Sequence, residues 1–242
     1  NRLGFNNHGA EIVKDRIKRN NKIGLLGINI GPNKDSSDRL NDYLIGLKTF
    51  YDDADYITIN ISSPNTENLR TFHERNKLQD LLKSIMEEKK NLNSNIPIAV
   101  KVSPDISEDQ VSQISEILLE HEIKAIIVSN TSEATRDKLG NIQRHQKGGL
   151  SGKPIEEKSN ILINEFYKLL KGKIKIIGVG GVDSGQSAYD KFIAGADFVQ
   201  LYTGMVFNGP NIAGIIKKEL KELLIRDGVK NYTEIIGNKT LS

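Results

Sequence analysis

A chain of 242 residues with 37% apolar side chains, 34 basic and 31 acidic groups and a net charge of +3 has the balance of one large globular domain, and α/β barrels reach this length as a single unit. The charges are interspersed rather than blocked, so the small positive balance argues only weakly for a nucleic-acid partner and none is expected, and the short basic run "DRIKRNNK" reads as a solvated helix face. The absence of cysteine excludes a disulfide framework, a thiolate metal site and a cysteine nucleophile, and no run approaches the ~18 consecutive apolar residues of a membrane span.

The chain opens on Asn1 rather than Met and carries no signal peptide, so the expectation is a portion of a longer protein with further segments upstream. The first apolar run, "IGLLGINIG", carries Asn29 near its end. "DYITINISS" follows and leads into "NISSPNT", Asn60 to Thr66, which gathers hydroxyls, amides and a proline with no histidine, acid or cysteine among them. "IPIAVKVSP" holds Lys101 inside an otherwise apolar strand. In "SEDQVSQISEILLEH" Val111, Ile114, Ile117 and Leu118 share one helical face, and Ser107 with Gln110 has capping-box spacing. "AIIVSNTS" ends on Asn130 and Thr131, and "IKIIGVGGV" on Gly180 and Gly181. A helix-period segment, "SGQSAYDKFIAGA", separates that run from "DFVQLYTG", which ends on Tyr202 and Thr203. "NIAGIIKKELKELLIRDG" closes on Gly228, a C-cap residue. The apolar stripes of these helices read as faces packed on a sheet.

Near-continuous apolar runs alternating with helices are the pattern of a parallel α/β fold. The motifs of an open nucleotide-binding sheet fail: no GxGxxG follows the first strand, and "GGLSGKP" has Pro154 where a P-loop has serine or threonine. Polar and glycine residues at every strand C-terminus favour a (β/α)8 TIM barrel, whose active site is built from those ends and which often holds phosphate after its last two strands. Six strands are too few to close such a barrel. If the last two runs are its seventh and eighth strands, about two βα units precede Asn1, and residues 1–242 form one barrel domain.

Each candidate group has two readings. Gly180 and Gly181 serve either a tight turn or a phosphate that approaches backbone N–H groups. Lys101 is either an edge lysine or an inward cation facing a phosphate, a carboxylate or an anionic ring. Asn60, Asn65 and Asn130 are either turn residues or paired donors and acceptors for a flat ring of alternating N–H and C=O groups. Ser63 alone reads as a turn hydroxyl before Pro64. The four histidines show no metal or triad spacing, and no metal is expected.

The chain resembles the dihydroorotate dehydrogenases of the quinone-linked, membrane-associated class. "NRLGFNNHG", "GINIGPNKD", "NISSPNTENLR", "AVKVSPD", "SNTS", "GGLSGKP", "IIGVGGVDSG" and "VQLYTG" carry the resemblance, in the family's order. It implies an FMN-containing barrel that oxidises dihydroorotate to orotate in UMP synthesis, with quinone reoxidising the flavin. By the resemblance Ser63 is the base for the C5 proton, passing it on through Thr66 and an ordered water, while the C6 hydride goes to the flavin. The cytosolic class uses a cysteine there, which this chain lacks. The resemblance assigns FMN contacts to Asn29, Asn60, Lys101, Ser129, Gly152, Gly181, Tyr202 and Thr203, beside Gly180 from the glycine pair. It assigns the substrate to Asn1, Arg2, Leu3, Gly4 and Phe5, with Asn60, Asn65, Asn130 and Thr131, and packs Phe5 near the base. It places the quinone entrance and a peripheral contact with the cytoplasmic face of the inner membrane upstream of Asn1, leaving this portion soluble. Two other readings stand beside it: a flavin barrel acting on other uracil rings, like a dihydrouridine synthase, and an inactive fragment.

Overall fold

The computed structural model describes residue 4 and residues 6–66, 69–134, 136–137 and 139–238. Six strands form one sheet: β1 (Gly27–Ile30), β2 (Tyr56–Asn60), β3 (Ile98–Val102), β4 (Ala125–Val128), β5 (Lys175–Val179) and β6 (Phe198–Gln200). They lie side by side in chain order and every pair is parallel. Each crossover between them contains a helix, as parallel neighbours require.

The helices are α1 (Ala10–Arg19), α2 (Arg39–Phe50), α3 (Arg75–Asn91), α4 (Glu108–Glu120), α5 (Glu156–Leu170), α6 (Gly185–Ala194), α7 (Thr203–Asn208) and α8 (Ile212–Arg226). Local chemistry sets where several begin. The Asp38 side chain accepts from Asn41 N–H at the start of α2, and Ser107 with Gln110 closes the expected capping box at α4. A second box, Ser184 with Ser187, opens α6. The basic run near the start lies largely on α1, which buries no residue fully.

The core lies between the outer face of the sheet and the helices. Ile57 and Ile59, Ile98, Val100 and Val102, and Ile126 and Val128 alternate outward from their strands. Leu78, Leu81, Leu82 and Ile85 of α3 and Val111, Ile114 and Leu118 of α4 meet them at helical spacing. Each such side chain contributes roughly 1.5–3 kcal/mol by leaving water. Smaller clusters seat α8 on α6, through Val182, Ala188, Ile212 and Ile216, and the 3₁₀ turn Tyr232–Ile235 on α6, through Phe192 and Ile235.

The sheet curls strongly. Gln200 Nε2 of β6 donates to the Tyr56 hydroxyl of β2 at 3.1 Å. In a flat sheet, strands four places apart would stand ~19 Å from each other. The architecture is thus a large arc of a (β/α)8 barrel, with β1 and β6 as its edges.

Candidate active site

The inward face of the arc follows from the two-residue repeat of its strands. Gly27 and Asn29, then Tyr56, Thr58 and Asn60, then Ile127 and Ser129, Val179 and Gly181, and Gln200 and Tyr202 all line one cavity of about 1000 Å³. Register places Lys101 directly beside Asn60. Loops beyond the strands add Gly4, Ser63, Asn65, Asn130, Thr131, Gly152, Gly180 and Thr203 to its wall.

Polar groups are fixed where β2 and β4 end. Asn60 Oδ1 accepts from Ser62 N–H at 3.2 Å, from the Ser62 hydroxyl at 3.0 Å and from Asn130 Nδ2 at 3.4 Å. Asn130 Nδ2 also reaches Ser62 Oγ at 3.1 Å, and Asn130 Oδ1 accepts from Thr131 N–H at 2.7 Å. The amide pair is thereby locked edge to edge. Behind it the buried Tyr43 hydroxyl donates to the Asn60 carbonyl at 2.7 Å. Ser63 is buried, and its Oγ accepts a long bond from Asn65 N–H at 3.3 Å.

Lys101 stands half-buried in the wall, and among the described residues no carboxylate or hydrogen-bond acceptor meets its ammonium. Burial alone depresses its pKa. A cation placed this way fits an anionic or electron-rich guest. In the same cavity, Gly180 and Gly181 take φ of +119° and +82°, and a Cβ at Gly181 would come within 2.4 Å of Glu156 Cβ. Only glycine fits that turn, which leaves backbone bare at the cavity just before α6. Across it the Thr203 hydroxyl donates to Ser151 Oγ at 2.9 Å. A second close approach occurs at Gly149, whose absent Cβ would lie 1.7 Å from Thr131 Oγ1. Thr131 Oγ1 is itself buried with no partner. An unpaired cation, an unpartnered hydroxyl and a bare glycine turn in one cavity fit an anionic guest such as a phosphate.

Of the residues singled out in the sequence, Asn29, Asn60, Ser63, Asn65, Lys101, Ser129, Asn130, Thr131, Gly152, Gly180, Gly181, Tyr202, Thr203 and Gly4 meet at this cavity. Thr66 is buried and does not form part of the wall. Asn1, Arg2, Leu3 and Phe5 lie outside the described residues. Sequence reasoning passed over Tyr56, Thr58 and Gln200. Their signal was present, since each falls two or four positions before a chosen residue on the same strand face.

The family model for dihydroorotate dehydrogenase matches residues 1–224. The chain belongs to the dihydroorotate dehydrogenase family. It is 44% identical over 239 residues to the dihydroorotate dehydrogenase (quinone) of Bartonella tribocorum, covering 97% of this chain and 66% of that protein. The dihydroorotate dehydrogenase (quinone) of Agrobacterium fabrum is 41% identical over 239 residues, again covering 97% and 66%. The chain therefore spans just under two thirds of the length of these relatives. Among solved structures, DHODH from Eimeria tenella in complex with ferulenol superposes with a TM-score of 0.93 at 32% identity, covering 98% of this chain and 70% of that one. The fold of this dihydroorotate dehydrogenase family member is accordingly a partial (β/α)8 barrel.

Proposed function

We propose that residues 1–242 are the FMN-binding barrel domain of a quinone-linked dihydroorotate dehydrogenase, which oxidises (S)-dihydroorotate to orotate in UMP synthesis. The observation that carries this reading is Ser63 at the cavity wall, flanked by Asn60 and Asn65 and sharing that wall with an unpaired lysine, in a chain without cysteine. Family membership and the relatives' names support the substrate and the acceptor.

Asn29, Asn60, Lys101, Ser129, Gly152, Gly180, Gly181, Tyr202 and Thr203 would hold FMN, its phosphate at the glycine turn. When bound, the flavin supplies the acceptor for the C6 hydride. The chain's own residues handle the proton and the geometry. Asn60, Asn65, Asn130 and Thr131, with the segment from Asn1 to Phe5, present donors and acceptors to the ring and carboxylate of dihydroorotate and hold C5 within reach of Ser63 Oγ. Ser63 takes the C5 proton as its own hydroxyl proton moves on, by way of Thr66 and water. Lys101 offsets negative charge beside it.

Among the described residues no helix is long and apolar enough to cross a membrane. We assign the quinone entrance, and a peripheral contact with the inner membrane, to segments outside these residues. The test is anaerobic addition of dihydroorotate to the full-length protein while its visible absorbance is followed. Bleaching, then recovery with a quinone, is expected, and Ser63→Ala should slow the bleaching by about 10²-fold or more while FMN stays bound. A flavin that remains oxidised in the wild-type protein refutes the substrate.

A further inference from the structure

Outside the cavity, one acidic side chain gathers the loops that build it. Asp105 lies in the turn after β3, largely shielded from solvent, and its two oxygens receive four donors. Oδ1 accepts from the Ser132 hydroxyl at 2.6 Å and from Lys158 Nζ at 2.5 Å. Oδ2 accepts from Glu133 N–H at 2.7 Å and from Arg70 Nη1 at 3.1 Å. Arg70 itself stands four residues beyond Thr66, and its Nη2 donates to the Thr131 carbonyl at 3.1 Å. The same guanidinium meets the half-exposed Glu133 carboxylate at 3.0 Å.

These bonds converge on segments with little regular structure of their own. The stretch from Asn130 to Glu133 leaves β4 and is tied on its far side by two backbone bonds between Ser132 and Leu150, at 2.9 and 2.7 Å. From Ser63 to Thr66 the chain has no helix, and the described residues resume in the 3₁₀ turn Leu69–His73. Asp105 and Arg70 therefore join the loop that carries Ser63 to the loop that carries Asn130 and Thr131. Burial works to raise the Asp105 pKa, but the bonds from Lys158, Ser132 and Glu133 N–H outweigh it, and the group stays a carboxylate at neutral pH.

We infer that Asp105 is a positioning residue for the reaction: through Arg70 it sets the spacing between the Ser63 loop and the substrate-facing groups of Asn130 and Thr131. Asp105 is not part of the cavity wall, so its effect is carried by the loops it joins. An amide in its place offers one acceptor oxygen where four donors arrive and turns an N–H toward another of them, so at least two bonds are lost. Reacting groups held by loops are sensitive to such slack, because a displacement of about 1 Å costs roughly 10²-fold in rate.

The inference rests on the dihydroorotate reading, and its test separates the two. In the full-length, FMN-loaded protein, Asp105→Asn and Arg70→Lys are compared with wild type, per bound flavin. The readings are the limiting rate of anaerobic bleaching by dihydroorotate and the dissociation constant of orotate from its shift of the flavin spectrum. Asp105→Asn should slow bleaching by about tenfold to 10²-fold and weaken orotate about tenfold. Arg70→Lys keeps the charge but cannot span Asp105, Glu133 and the Thr131 carbonyl together, and should move both readings the same way by less. A purely structural role would lower the melting temperature and FMN content yet leave both per-flavin readings within twofold of wild type, and that result overturns the inference. If Asp105→Asn does not retain FMN, Arg70→Lys decides by the same two readings. A wild-type flavin that dihydroorotate does not bleach overturns the functional reading and this inference with it.

Discussion

His73 is fully buried, with Nδ1 on the Arg70 carbonyl at 2.8 Å and Nε2 accepting from Ser103 N–H at 3.3 Å, so its ring is neutral in the folded chain. Burial first of all holds its pKa down at about 4; the bond to the Arg70 carbonyl opposes this and the Arg70 charge reinforces it. An unfolded histidine titrates near 6.5, so between about pH 6.5 and 4 the unfolded chain binds the extra proton. Stability is therefore complete above about pH 6.5 and falls as pH drops toward 4, by about 3 kcal/mol. Urea midpoints at pH 7 and pH 5 should show this loss, and His73→Gln should flatten it; equal slopes in the two proteins would remove His73 as the cause. Lys101 carries a prediction of a different kind. As an unpaired cation in the cavity wall it should contribute strongly to cofactor affinity, and Lys101→Met is expected to raise the FMN dissociation constant about tenfold or more, read by quenching of FMN fluorescence. At this scale, legibility followed contiguity. Asn60, Ser63 and Asn65 share one short motif and could be read together, whereas Asp105 and Arg70 stand 35 positions apart and matter only because their loops meet.

Between elements, α5 and α6 are joined by a buried lysine. Lys191 is fully buried and its ammonium donates to Asn160 Oδ1 at 2.8 Å and Ser159 Oγ at 3.2 Å, while Ser159 donates onward to the Val179 carbonyl at the end of β5 at 2.7 Å. Burial lowers its pKa to about 8, against the pull of Glu156 and Asp190. An unfolded lysine titrates near 10.4, so from about pH 8 to 10.4 the unfolded chain holds the extra proton and stability rises with pH. Lys191→Met should abolish that alkaline rise, and denaturant midpoints at pH 8 and pH 9.5 in the two proteins test it. The sequence pattern showed "SGQSAYDKFIAGA" as a helix and was silent on this lysine, because a charged residue on an amphipathic segment is ordinarily assigned to the solvent side. Capping was more transparent. The Ser107 and Gln110 box forms as read, since it depends on only four consecutive residues, and Ser107→Ala should cost about 1 kcal/mol in a thermal melt.

For the whole molecule, strand order was legible only through the choice of a barrel: βαβ units also build doubly wound sheets with shuffled strand order, and the polar strand ends with the failed nucleotide motifs favoured the barrel, whose strands follow the chain order found here. Strand length was not. "IGLLGINIG" reads as a long strand, yet β1 keeps only Gly27–Ile30, because a ladder forms where β2 can pair with it. The two edges of the arc have a consequence of their own. Leu25, just before β1, is 86% exposed; Phe198 on β6 is 52% exposed, and Phe207 of α7, beyond that edge, is 80% exposed. Unpaired parallel edges flanked by large apolar side chains are templates for association. The 242-residue chain expressed by itself is therefore expected to self-associate, with a sedimentation coefficient that rises across micromolar concentrations and an apolar-dye signal that falls as it does so. Leu25→Lys with Phe198→Lys should reduce both, because charge on an edge opposes pairing. A monomer across that range, with no dye binding, would mean that the edges are closed in solution by rearrangement of the arc itself.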